Sequence, residues 1–175
     1  MPADRPLRVV IVSDTHSKPH PASVELVEKE TPDVILHGGD IGELSVLDAF
    51  REVAPLIVVR GNIDTRESAL PDSVDITFAQ GGEDRLKLFL IHRAVYGPRL
   101  LAEVAGQAQE HGAQLVVCGH SHVPFIGRDR GMTVFNPGSI GPRRMHLPIT
   151  FGVLEVGEKA SLRHMSCETG QRWSP

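Results

Sequence analysis

The chain has 175 residues, of which 41% are hydrophobic and 23% charged, with a formal net charge of −4. This composition excludes disordered, collagen-like and low-complexity proteins and predicts a globular protein large enough to bury a core. No apolar run approaches the ~20 residues of a membrane-spanning helix, and an acidic chain without long basic runs is not expected to bind nucleic acid or an anionic membrane.

Short apolar runs alternate with helix-length patterns over the first two thirds of the chain. Runs rich in leucine and β-branched residues predict strands over residues 7–13, 34–37, 56–60, 86–91 and 115–118. Helices are predicted over residues 22–30, 44–53 and 100–111. This alternation favours βαβ units and a mostly parallel sheet.

The last third of the chain has a different pattern. Strands separated by turn residues are predicted over residues 124–127, 132–135, 151–156 and 161–167, as in an antiparallel meander. Residues 80–84 predict a hairpin turn, and the tail over residues 168–175 is expected to fray. Because no linker divides the sequence, we expect one α/β domain over residues 1–175, with its core over about 8–167 and a mixed or second sheet.

Two features predict a cytoplasmic protein. The first apolar run is too short for the hydrophobic region of a secretion signal. The two cysteines, Cys118 and Cys167, are too few for a disulfide framework and form no CxxC pair, so a reducing compartment suits the chain.

Residues that can bind metal ions follow five of the predicted strands. They are Asp14, His16, Asp40, Asn62, His92, His120 and His122. Since ligands of open α/β sheets bind beyond the carboxyl ends of the strands, we expect these side chains to converge. A glycine precedes Asp40, Asn62 and His120, which allows a sharp turn and a close approach of the backbone to an ion.

The donor types indicate which ions fit. Two carboxylates, one amide and four imidazoles without a thiolate favour Mn, Fe, Zn, Ni or Co over Cu(I), an iron–sulfur cluster or a calcium cage. Seven ligands exceed what one ion needs, whereas two ions ~3.5–4 Å apart, bridged by a carboxylate and a hydroxide, use them all. Such a centre keeps a net positive charge that attracts a phosphodiester anion.

Each motif taken alone has a structural explanation. Asp14 is typical of a turn or a helix N-cap, Asn62 of a turn, and His92 of a hydrogen-bonded core histidine. His120 and His122, two positions apart on an extended segment, face the same way. The joint occurrence of all these motifs at five strand ends favours one metal site. His37 is interpreted as a core histidine, and His20 and His146 are interpreted as loop histidines.

In this order the motifs resemble those of the calcineurin-like metallophosphoesterases. The family's DxH, GD, GNxx, lone His and GHxH elements correspond to Asp14/His16, Gly39-Asp40, Gly61-Asn62, His92 and Gly119-His120-Ser121-His122. The segment from Asn136 to Ser139, followed by Pro142-Arg143, is similar to the small bacterial and archaeal phosphodiesterase branch, which the eukaryotic retromer scaffold subunit also resembles.

The resemblance covers about residues 8–156 and implies a four-layer αββα sandwich with two mixed β-sheets flanked by helices. It also implies that two divalent transition-metal ions bind, with Mn the first choice and Fe, Zn, Ni or Co as alternatives. One ion would be held by Asp14, His16 and His122 and the other by Asn62, His92 and His120. Asp40 would bridge them.

Two positions depart from the family pattern. The third residue of the GNxx element is often a proton-donating histidine, or a cysteine in the small branch, but here it is Ile63. Asp64, which commonly orients that histidine, then has no evident partner and is interpreted as a turn cap. The family often has His-Gly-His where this chain has His92-Arg93-Ala94, so Arg93 is either a phosphate-binding cation or a solvated surface arginine.

These residues predict hydrolysis of small phosphodiesters by a hydroxide that bridges two divalent metal ions. Without a side-chain acid at Ile63, the rate should depend strongly on the pKa of the leaving group. The alternative is a catalytically weak scaffold or interaction protein that keeps the fold. A nuclease is less favoured because no basic groove or stacking aromatic residues accompany the motifs. The expected partner is a small phosphate ester, and a homo-oligomer is allowed.

Overall fold

The computed structural model describes residues 5–175, which form three α-helices and thirteen β-strands. The helices are α1 (Ser23–Lys29), α2 (Val46–Val53) and α3 (Ala102–Glu110). The strands are β1 (Leu7–Val12), β2 (Val34–His37), β3 (Leu56–Val58), β4 (Ser73–Gln80), β5 (Glu83–Ile91), β6 (Val95–Tyr96), β7 (Arg99–Leu100), β8 (Leu115–Val117), β9 (Phe125–Asp129), β10 (Met132–Asn136), β11 (Thr150–Val156), β12 (Ala160–Ser166) and β13 (Arg172–Trp173). The predicted absence of a secretion signal rests partly on residues 1–4, which lie outside the described residues.

Most strands belong to two mixed sheets. The first sheet has the order β13-β12-β11-β1-β2-β3, with β1, β2 and β3 parallel and the other pairs antiparallel. The second sheet has the order β4-β5-β8-β10-β9, with β5, β8 and β10 parallel and an antiparallel strand at each edge. Strands β6 and β7 form a separate ribbon.

The period-two alternation of strand side chains produces the layers. In β1, Val9 and Ile11 belong to the apolar core between the two sheets, whereas Val10 and Val12 pack with residues of α1 and α2 on the outer face. Strand β8 divides its side chains in the same way, with α3 on its outer face. The layers are therefore helices, first sheet, second sheet and helix, which confirms the predicted αββα sandwich.

The expected C-terminal meander is wrong in its connectivity. Strands β9 and β10 pair within the second sheet, whereas β11 and β12 pair within the first. Residues 137–149 carry the chain from one sheet to the other. Local alternation identifies strands but does not specify their hydrogen-bonding neighbours, so the change of sheet was not visible in the sequence.

Strand β4 was not predicted, although the hairpin turn after it was. Only one face of β4 is apolar: Val74, Ile76 and Phe78 pack against the core, and Asp75 and Thr77 between them are exposed. Strand β5 begins at Glu83, ahead of the predicted residue 86. Polar residues on the solvent face of this edge hairpin interrupt the apolar pattern, so the sequence did not predict β4 or the true start of β5.

The tail was expected to fray, but residues 172–173 form β13. His164 of β12 pairs with Trp173, and the two rings meet edge to face with their centroids 5.7 Å apart. This aromatic contact fixes the tail to the first sheet. Within residues 5–175, no helix has the combination of length and hydropathy that crossing a membrane requires.

Candidate metal centre

The carboxyl ends of parallel strands from both sheets lie at one edge of the sandwich. Asp14 and His16 follow β1, and Asp40 follows β2 in the first sheet. His92 directly follows β5, and the segment with His120 and His122 follows β8 in the second sheet. The structure therefore brings together side chains that are up to 108 positions apart in the sequence.

These side chains form two adjacent donor groups. The first donor group comprises Asp14, His16 and His122, and the second comprises Asp40, His92 and His120; within each, the donor atoms lie within 4.8 Å of one another. Asp40 Oδ1 is 3.4 Å from His92 Nε2, and Asp40 Oδ2 is 3.5 Å from His16 Nε2. Asp40 thus lies close to a histidine of each donor group.

Asn62 lies beside the second donor group. It lines a cleft together with His92. The residues before and after it in the sequence, Gly61 and Ile63, contact Asp40. The Ile63 amide donates a hydrogen bond to Asp40 Oδ1 at 3.1 Å, while a Cβ on Gly61 would lie only 2.0 Å from the Asp40 nitrogen. Only glycine allows this approach of the β2 and β3 loops.

Several donor atoms in the two groups are buried without a hydrogen-bond partner among the described residues. They are Asp14 Oδ1, His16 Nε2, His92 Nε2, and both Nδ1 and Nε2 of His122. Leaving such atoms unpaired costs ~1–3 kcal/mol each. Carboxylate oxygens and imidazole nitrogens with free lone pairs are ligands for divalent transition metals, so the donor set fits such ions.

Neighbouring groups hold the donors in position. Asp14 Oδ2 accepts hydrogen bonds from Ser13 Oγ at 2.7 Å and from the His120 amide at 3.1 Å, which leaves Oδ1 facing His122. His92 Nδ1 lies 2.7 Å from the Gly38 carbonyl oxygen, and Nε2 therefore points toward Asp40. Metal-binding histidines in proteins are typically oriented by such contacts.

Five of the seven candidate ligands have a left-handed backbone conformation. Their φ angles lie between 45° and 71°, at Asp14, His16, Asp40, His120 and His122. This conformation is costly for residues other than glycine, and strain of this kind concentrates at functional sites. The loops after β1, β2 and β8 are therefore held in shapes that local preference alone would not produce.

Asp64 was interpreted as a turn cap without an evident partner, and the structure gives it a larger role. Its side chain is buried, and its carboxylate accepts hydrogen bonds from the backbone amides of Ile41, Gly42 and Gly61 at 2.8–3.1 Å. Asp64 thus ties the loop that carries Asp40 to the loop that carries Asn62.

Asn136, the last residue of β10, and Ser139, in the crossing segment that follows, support the centre. Asn136 Nδ2 donates to the Gly119 carbonyl oxygen at 2.8 Å and to Ser121 Oγ at 3.1 Å. Ser139 Oγ donates to the Asp14 carbonyl oxygen at 2.9 Å. The sequence identified residues 136–139 as a motif but did not predict what they do. In the structure they position the ligand loops of both sheets.

Both carboxylates are held in the ionised form. Burial opposes ionisation of Asp14, but the nearby His122 and His92 rings and the Ser13 hydroxyl hold its pKa below the ordinary value. Burial opposes ionisation of Asp40 as well, yet the adjacent His92 ring holds its pKa well below the usual range. Both side chains are therefore available to a cation near neutral pH.

The histidines differ in their proton affinity. Burial lowers the pKa of His16, against the attraction of Asp40 and Asp14. Burial also lowers the pKa of His120, with further lowering by the charges of His92 and Arg93. The pKa of His92 is raised despite its burial, because Asp40 and Asp14 face it. A cation would thus have to compete with a proton at His92.

His37 is a core residue, as interpreted from the sequence. Its Nδ1 accepts a hydrogen bond from the Gly39 amide, its Nε2 lies 3.2 Å from Thr15 Oγ1, and burial lowers its pKa to about 4. His20 Nδ1 accepts a hydrogen bond from the Ala22 amide, and His146 is exposed. These three histidines lie outside both donor groups.

The arginines near the centre have different environments. Arg143 forms an ion pair with Glu168 and donates to the Leu147 carbonyl oxygen, so it stabilises the loop. Arg144, the next residue, lies close enough to His16 for its charge to contribute to the lowered pKa of that ring. Arg93 is exposed and lines the cleft beside Asn62 and His92.

Sequence comparison places the chain among phosphoesterases. Residues 7–159 match the model of the calcineurin-like phosphoesterase superfamily domain. A protein named "Probable metallophosphoesterase" from Methanocaldococcus jannaschii is 30% identical over 137 residues, which are 74% of this chain and 66% of that protein. Phosphodiesterase YfcE of Escherichia coli is 29% identical over 113 residues, 63% of this chain and 58% of its own length.

Solved structures show the same fold. The zinc complex of Vps29 from Entamoeba histolytica superposes with a TM-score of 0.73 at 20% identity and covers 95% of this chain and 96% of its own. The match to the domain model spans most of the sequence and agrees with the motif resemblance and the αββα architecture. The chain therefore belongs to the calcineurin-like phosphoesterase superfamily.

Proposed function

We propose that residues 1–175 form a single domain that acts as a metal-dependent phosphodiesterase on small phosphodiesters. The observation that carries this proposal is the pair of donor groups joined by Asp40, with buried donor atoms that have no partner in the part of the chain that the structure describes. Family membership and the similarity to phosphodiesterase YfcE support the class of reaction.

In this proposal Asp14, His16 and His122 would hold one divalent ion. Asn62, His92 and His120 would hold the second, and Asp40 would be shared by both. Ions bound in this way supply a water-derived nucleophile at neutral pH and neutralise charge on the phosphate. Mn²⁺ is our first choice, and Fe, Zn, Ni or Co ions also suit oxygen and imidazole donors.

The chain's own residues supply preorganisation. Ser13 and the Gly38 carbonyl oxygen fix the orientation of Asp14 and His92, so the donors do not have to rearrange when the substrate binds. Ile63, 48% exposed beside Asp40, has no proton to give to a leaving alkoxide. Water or a bound metal ion would then have to assist the departing alkoxide, so esters with acidic leaving groups should be the better substrates.

Cys118 and Cys167 are both buried and free, which suits the reducing cytoplasm. We propose that location for the enzyme, with a small phosphate ester as its partner.

The competing function is a scaffold that keeps the fold without turnover. Ile63 at the position of the family's proton donor favours it, and Vps29 shares the fold. The buried donor atoms favour retention of metal binding, because unpaired polar groups are costly to bury, and turnover separates the enzyme from a scaffold that binds metal.

The deciding experiment measures hydrolysis of bis(p-nitrophenyl) phosphate with added Mn²⁺ or Ni²⁺. We expect metal-dependent turnover that falls by ~10²-fold or more in Asp40→Ala, because this variant removes the shared ligand. Asp48→Ala is the matched control, since Asp48 is an exposed residue of α2 that pairs with Arg51. A protein that binds these metals but shows no turnover with either would be a scaffold.

A further inference from the structure

A cleft of about 250 Å³ opens beside the second donor group, and we call it the Arg93 cleft. Its lining includes Arg60, Asn62, Asp72, His92 and Arg93. Because Asn62 and His92 belong to the proposed metal centre, the cleft begins where the reacting phosphate would bind. It therefore has the position of a pocket for one of the two ester groups of a phosphodiester.

The two arginines of the cleft differ in their charge compensation. Arg60 is neutralised, because its Nη2 and Nε atoms lie 2.7 and 3.0 Å from Asp72 Oδ1. Arg93 is exposed, and among residues 5–175 no carboxylate lies within ion-pair distance of it. The guanidinium of Arg93 is thus the uncompensated positive charge of this cleft.

The reaction at phosphorus does not by itself require this charge. A monoanionic phosphodiester already meets two divalent ions in the proposed centre, and the chain as a whole carries a net charge of −4. A guanidinium binds carboxylates and phosphates through paired hydrogen bonds of fixed geometry. A second anionic group, on the ester group that occupies the cleft, is the ligand that would use this charge.

We propose that the Arg93 cleft binds one ester group of the substrate and that Arg93 selects substrates whose ester group carries a second anion. That anion is a carboxylate or a phosphate. This inference rests on the proposed phosphodiesterase function and makes its substrate class more specific.

The kinetic test compares p-nitrophenyl phosphodiesters whose second ester group is phenyl, 3-carboxyphenyl or 3-phosphonophenyl. We expect wild-type kcat/KM to be ~10-fold or more higher for a charged ester than for the phenyl ester, mainly through KM. Arg93→Met should bring this ratio close to one, and Arg93→Lys should retain part of it. The charged ester with the larger ratio identifies the preferred anion.

Arg128→Met is the matched control. Arg128 is exposed on β9 opposite Thr133, which pairs with Leu115 at the start of β8, whereas His120 follows the end of that strand. The wild-type ratio should persist in this variant. An equal loss of activity on all three esters in Arg93→Met, or a wild-type ratio of one, would overturn the inference.

A binding measurement separates this inference from the proposed function. Calorimetry with Mn²⁺ present compares dibenzylphosphinate with its mono-3-carboxy derivative, neither of which can be hydrolysed. We expect ~10-fold tighter binding of the carboxylated compound by wild type but not by Arg93→Met. If the protein prefers the carboxylated compound but shows no turnover, only the proposed phosphodiesterase function is refuted. If it shows turnover without that binding preference, only the role of Arg93 is refuted.

Discussion

Asp64 shows how a single buried residue organises the centre without being one of its proposed ligands. Its carboxylate accepts backbone hydrogen bonds from Ile41 and Gly42 after β2 and from Gly61 after β3. These loops carry Asp40 and Asn62. A negative charge surrounded by several N–H donors is well satisfied despite its burial, so this interaction fixes the distance between two proposed ligands.

Replacing Asp64 by asparagine should therefore destabilise the protein and weaken metal binding. The amide removes the charge and introduces an NH₂ group opposite backbone donors, so we expect a loss of about 1–3 kcal/mol in the free energy of unfolding. Urea denaturation measures that loss, and calorimetry with Mn²⁺ measures the affinity. Asp48→Asn should change stability by less than about 0.5 kcal/mol. An Asp64→Asn protein as stable as this control would contradict the role assigned to Asp64.

At the scale of secondary-structure elements, the irregular segment between β10 and β11 supports the proposed metal centre. It crosses from the second sheet to the first. Asn136, the last residue of β10, donates a hydrogen bond to the Gly119 loop, and Ser139 within the segment donates one to Asp14. The ligand loops are therefore supported from behind by a segment that contains none of the proposed ligands.

Strand β13 makes a separate contribution to stability at the far edge of the first sheet. Trp173→Ala removes the edge-to-face contact with His164 and the apolar area that the indole covers, so we expect a loss of about 1–2 kcal/mol. Chemical denaturation measures the loss. Tyr96→Ala is the control, because Tyr96 is 80% exposed and should lose much less. Equal effects of the two substitutions would mean that β13 does not stabilise the sheet.

At the scale of the whole molecule, the proposed centre joins the two sheets. Asp14, His16 and Asp40 belong to loops of the first sheet, whereas His92, His120 and His122 belong to the second. Each donor group combines residues from both sheets. A bound ion would therefore link the two halves of the sandwich in addition to serving catalysis.

Metal binding should accordingly raise the stability of the whole domain. An ion that binds only the folded state at 100 times its Kd adds about 2.7 kcal/mol, which corresponds to a rise of roughly 5–10 °C in Tm for a chain of this size. Differential scanning calorimetry with Mn²⁺ and with EDTA measures this rise. Asp40→Asn should show a clearly smaller rise than wild type, and the same rise in both proteins would argue against Asp40 as a shared ligand.

The sequence alone predicted the composition of the candidate site, and its motifs indicated the family, whose resemblance implied the layered fold. Strand alternation depends on local geometry with a period of two, so β1 and β8 were recognisable without knowledge of their neighbours. The metal-binding residues follow such strands directly, and the carboxyl ends of parallel strands lie at one edge of a sheet. This geometric rule made the convergence of Asp14 and Asp40 predictable from their positions along the chain, whereas their meeting with His92 of the second sheet was implied by the family resemblance.

Only the tertiary structure decided which strands share a sheet, what surrounds Asp64, and that Arg93, unlike Arg60, has no ionic partner among the described residues 5–175. Residues far apart in the sequence make these contacts, and hydrophobic periodicity carries no information about them. The same reason explains the tail. Trp173 is ordered because it meets His164 of β12, a contact that exists only after the first sheet has formed.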